Sequence, residues 1–106
     1  MPERGDKLTT ITLRALEGTP LAHERIREMV IATARAIAER QGIEVRQVRA
    51  DDDSVTAVLV AGRIESFGFA AELRRLTTNW YAHKFGVPEL WGEAPDLRAS
   101  SEEADP

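Results

Sequence analysis

Apolar and polar residues alternate along the first ordered stretch of the chain. Ile11, Leu13 and Ala15 interleave with Thr10, Thr12 and Arg14, the period of a strand with one buried face, which predicts a first strand over residues 9–16. Glu17, Gly18, Thr19 and Pro20 break that pattern. Thr19 then suits an N-cap, Pro20 the first helical position and Glu24 the first turn, so a helix is expected from about residue 20 to residue 40. Its core stripe is Ala22, Ile26, Met29, Val30, Thr33 and Ile37, with Glu24, Glu28 and Arg35 opposite. Gly42 is placed to end it in a left-handed turn.

Residues 43–50 (IEVRQVRA) and 55–61 (VTAVLVA) predict two further strands joined at Asp51, Asp52, Asp53 and Ser54, which is turn chemistry suited to a hairpin. The second of the pair is apolar on both faces and belongs in the middle of a sheet. Glu44, Arg46 and Arg49 mark the first as an edge. Ser66 suits the N-cap of a second helix over residues 67–85, which Gly86 and Pro88 terminate. Phe69, Leu73, Leu76 and Trp80 form its core stripe. Residues 89–91 (ELW) offer a short last strand. The order β-α-β-β-α-(β) predicts an α+β two-layer sandwich: a ferredoxin-like antiparallel sheet with two helices on one face and the first and third strands central.

Charge and composition then narrow the function classes. The chain has 106 residues, 14 basic against 18 acidic, for a formal net charge of −4. Residues 1–7 and 96–106 lack apolar periodicity and read as tails flanking a single domain over 8–95. The second tail holds one basic residue against four acids; removing it leaves 13 against 14, a nearly neutral domain. There is no cysteine, which excludes disulfides, thiolate metal sites and a cysteine nucleophile. No apolar run is long enough for a membrane span and the opening residues are too polar for a signal peptide, so the expected location is cytoplasmic.

Candidate chemistry is sparse, and no cofactor or metal is expected. The predicted topology puts His23, His83 and the Asp51, Asp52, Asp53 turn at one end of the sheet, where imidazoles and a carboxylate would suit acid/base chemistry or a divalent ion; Asp52 is the central carboxylate of that alternative. Arg63, Ser66 and Gly68 at a helix start suit a weak anion site, although neither a nucleophile elbow nor a phosphate loop is complete there. All six aromatic residues lie between positions 67 and 91. Phe67, Tyr81 and Phe85 share a side of the second helix with Arg74, a composition suited to a partner surface. Arg74, Arg75, Asn79, Tyr81 and Lys84 raise nucleic acid, but Glu65, Glu72 and the absent positive excess weigh against it. The uncovered sheet face favours self-association into a homodimer. The sequence therefore points to a small non-catalytic protein-interaction or accessory-subunit domain.

Overall fold

The computed structural model describes residues 7–92 and 95–101. Strand β1 (Lys7–Arg14) leads through a 3-10 turn (Pro20–Ala22) into helix α1 (Glu24–Gln41); β2 (Glu44–Asp51) and β3 (Ser54–Val60) follow, then helix α2 (Arg63–Phe85) and β4 (Asp96–Ser101). The sheet order is β2-β3-β1-β4, with every neighbouring pair antiparallel. This is the expected two-layer α+β sandwich, with β1 and β3 central. An extra residue near Arg46 shifts the β2–β3 register. Such a bulge at a charged edge discourages pairing with another chain.

The core lies between the sheet and both helices. Ile11 and Leu13 from β1, with Val55, Ala57 and Leu59 from β3, face Ile26, Val30 and Ile37 of α1 and Phe69 and Leu73 of α2; all are buried. Each large aliphatic side chain so placed contributes about 1.5–3 kcal/mol relative to exposure. On the opposite side of the sheet Thr10, Thr12, Thr56, Val58 and Val60 are only half-buried, because no element among the described residues covers them.

Several boundaries differ from the expectation for local chemical reasons. Thr19 caps nothing with its side chain; Pro20 starts a 3-10 turn, and His23 caps α1 by accepting the Arg25 amide at Nδ1, 3.2 Å away. Gly42 does end α1, with φ 71°. Helix α2 begins four residues earlier than the expected start at Phe67. Glu65 turns back to accept the Gly62 amide at 2.9 Å, and Ser66 is thereby drawn into the first turn, fully buried, with its hydroxyl unpartnered. The last strand is also displaced. From residues 89–91 only Trp91 bridges to Ala15, and β4 lies within the expected acidic tail. There β1 would otherwise keep an unpaired edge, and Leu97 stands opposite Ile11. The rest of both expected tails, residues 1–6 and 102–106, lies outside the described residues.

Candidate functional site

Helix α2 carries more apolar and cationic side chains than its buried stripe can use. Ser66, Phe69, Ala70, Leu73 and Thr77 face the core. A neighbouring flank runs through Arg63, Phe67, Ala71, Arg74 and Thr78, at spacings of four, four, three and four that keep them on one side of a helix. This flank borders a groove whose other wall is the chain around Pro95 and Leu97. Its central section, about 370 Å³, is lined by Arg63, Ile64, Phe67, Pro95 and Leu97. Shared residues continue it past Ala71 and Arg74 to Asn79 in one direction, and past Gly62 to Lys7 in the other. Ile64 is 88% exposed and Phe67 59%, unusual for large apolar groups on a charged helix.

The second wall is anchored to α2 by buried polar contacts. Trp91 Nε1 donates to Thr77 Oγ1 at 2.8 Å, and that hydroxyl donates to the Leu73 carbonyl at 2.5 Å. Arg74 donates to the Gly92 carbonyl at 2.5 Å, and Gly92 in turn donates its amide to the Arg14 carbonyl at 2.8 Å. These contacts hold Trp91 and Gly92 against α2.

Its electrostatics differ from those of the whole chain. Lys7, Arg63, Arg74 and Arg75 line it, against the carboxylates Glu65 and Glu89. Glu65 is already committed to the helix start. Just outside the groove, Glu72 accepts from Arg75 at 2.8 Å and lies 3.4 Å from Arg40. The Arg75 hydrogen bond, helped by the charges of Arg75 and Arg40, holds the Glu72 carboxyl below its ordinary value against a smaller opposing effect of burial. The groove thus joins Lys7, Arg63 and Arg74, with Arg75 paired to Glu72, to an exposed aromatic ring, a combination suited to a polyanion bearing flat apolar groups.

The residues singled out from the sequence divide among three places. At the histidine end, the Leu21 amide donates to the Asp52 carbonyl and the Ala15 amide to the Asp53 carbonyl, so the aspartate turn does reach the start of the first helix. His23, however, packs its ring 6.3 Å from Phe85 while capping α1. Among the described residues no three His, Cys, Asp or Glu side chains gather as a metal would require. The Arg63, Ser66, Gly68 set does not converge: Arg63 is exposed, Ser66 is buried, and Gly68 faces open space in the helix body. The aromatic face splits. Phe67 and Arg74 line the groove, whereas Tyr81 and Phe85, with centroids 5.2 Å apart, join Trp80 and His23 at the far end of α2.

No family model matches the chain, and no curated protein matches it. Solved structures do share its fold. A putative transposase from Deinococcus radiodurans superposes with a TM-score of 0.69 at 16% identity, over 95% of this chain and 83% of that one. A REP-associated tyrosine transposase bound to a REP hairpin superposes at 0.67 and 9% identity, over 99% of this chain and 64% of that one. The C-terminal domain of the MgtC protein from Mycobacterium tuberculosis follows at 0.55 and 15% identity, over 99% and 100%.

Two expectations are corrected here. The non-catalytic protein-interaction or accessory-subunit role, with its protein or self-association partner, does not stand, and neither does the judgement against nucleic acid. Two of the chains that share this fold are transposases, one of them held on a nucleic-acid hairpin. That judgement rested on Glu65, Glu72 and the nearly neutral charge of the domain, whereas Lys7, Arg63, Arg74 and Arg75 come from separated positions to line one groove. Lys7 and Leu97 were missed because both fall in segments that read as tails. The spacing of Arg63, Phe67, Ala71 and Arg74 was visible, but the strand that turns this flank into a groove was not.

Among the described residues no helix is long and apolar enough to cross a membrane.

Proposed function

We propose that this chain is a nucleic-acid-binding domain that holds its ligand in the groove beside α2 and works in the cytoplasm. The observation that carries the reading is the placement of Lys7, Arg63, Arg74 and Arg75 along one groove, on either side of exposed Phe67. Guanidinium and ammonium groups attract phosphates, and affinity then comes from release of condensed counterions. The shared fold with a transposase bound to a REP hairpin supports the same reading.

The uncovered sheet face serves this role less well. Strand alternation and register place Arg14, Arg49 and Arg98 there beside Glu44, Asp51 and Asp96, and Arg14 lies 3.9 Å from Asp96. Cations and carboxylates interleave, and no aromatic residue belongs to those strands.

The test is anisotropy of a labelled oligonucleotide across a salt series. Replacing Lys7 and Arg63 together by glutamine should weaken binding and flatten the dependence of log K on log salt by about one to two, since each lost phosphate contact removes roughly 0.7–0.9 from the slope. Replacing Arg25 and Arg35, both exposed on α1, removes the same charge elsewhere and should leave the slope unchanged. Equal effects from the two double variants would contradict the assignment.

A further inference from the structure

Taking the groove as the nucleic-acid site, which this step rests on, we infer that it accepts an unpaired strand rather than a duplex, with Phe67 as the platform on which a base stacks. The middle of the groove is mostly apolar: Ile64, Phe67, Pro95 and Leu97 form it together with Arg63, and Ala71 continues it beside Arg74. Arg63 and Arg74 flank Phe67 on either side, with Lys7 beyond the one and Arg75 beyond the other. A duplex turns its phosphates outward and hides its base faces in the stack, so it would gain nothing from the exposed Phe67 ring. An unpaired strand can turn its bases inwards onto Phe67 while its backbone runs between the cations on either side.

The placement of α2 supports the same choice. A helix that reads a duplex enters the major groove. Here α2 lies along the sheet with its core stripe buried and Thr77 bonded to Trp91, and the second wall around Pro95 and Leu97 stands beside the exposed flank. What is offered is a channel alongside the helix. From Arg63 to Asn79 that channel follows 16 residues of helix, about 24 Å, room for roughly four nucleotides at the small end of single-strand site sizes.

The inference is tested with the full chain and three probes: an oligothymidylate of about 12 nucleotides, within the usual range of single-strand sites, the same length of duplex, and an abasic strand that keeps its phosphates. Wild type should bind the oligothymidylate roughly tenfold or more tightly than either other probe, since stacking is the contribution they lack. Phe67→Ala should remove most of that preference, and Phe67→Trp should keep it, with indole fluorescence changing when the strand binds. Because Phe67 is mostly exposed, both variants should retain the wild-type fold, checked by circular dichroism. Equal or tighter duplex binding, or a Phe67→Ala protein that still prefers the strand, would overturn the single-strand inference while leaving the groove as the nucleic-acid site. Wild-type binding to none of the probes would overturn both.

Discussion

Thr77 shows how one residue can hold a surface together. Its hydroxyl accepts the Trp91 indole N–H and donates its own O–H to the Leu73 carbonyl within α2, all out of contact with solvent. Valine has nearly the same volume and cannot accept, so Thr77→Val leaves a buried indole donor unpaired at a cost of about 1–3 kcal/mol. Chemical denaturation should show that loss, and Thr77→Ser should recover most of it. If valine were as stable as threonine, the contact would not be what anchors the second wall. Trp91 was legible in the sequence only as an apolar residue in a possible strand. Its partner lies 14 positions earlier, on a helix where threonine ordinarily signals a solvated or back-bonded side chain.

At the scale of elements, most of the fold was legible because periodicity is a local property. The alternation in β1, the doubly apolar β3 and the glycine at the end of α1 follow from a few adjacent residues each, and all three are present as expected. The start of α2 was not legible. Ser66 has the chemistry of a cap, but the reach of Glu65 back to Gly62 competes and moves the boundary by four residues. The last strand was less visible still, since DLRASS offers only Leu97 and Ala99 as apolar positions and is held by pairing with β1. Gly68 gives an independent check on α2. It sits exposed in the helix body, and a Cβ built there would meet nothing within 4 Å. Glycine costs a helix roughly 0.5–1 kcal/mol relative to alanine, so Gly68→Ala should raise the thermal midpoint and leave oligonucleotide affinity unchanged. A lower midpoint would mean that the helix does not run through residue 68. Lost affinity would mean that Gly68 is part of the ligand site after all.

For the whole molecule, a net charge of −4 is compatible with the proposed affinity for a polyanion because charge acts locally. Screening limits the reach of an exposed charge to about 8 Å at physiological ionic strength, so the groove's attraction is set by Lys7, Arg63, Arg74 and Arg75 together with nearby Glu65, Glu72 and Glu89, and not by the net charge of the chain. That distribution could not be read from the sequence. Lys7 comes from the first strand and Arg63 to Arg75 from the second helix, while the wall that encloses them comes from the last strand. Only the sheet order β2-β3-β1-β4 brings these together, with β4 placed beside β1 and α2 above it. The central claim is that this groove, and not the open face of the sheet, receives nucleic acid. The most direct measurement is a nitrogen-15 chemical-shift titration of the full chain with an oligothymidylate. The largest changes should fall on Lys7, on Arg63, Phe67, Ala71 and Arg74 of α2, and on Leu97. Changes centred instead on Thr10, Thr12, Thr56 and Arg49, or no changes at all, would contradict it.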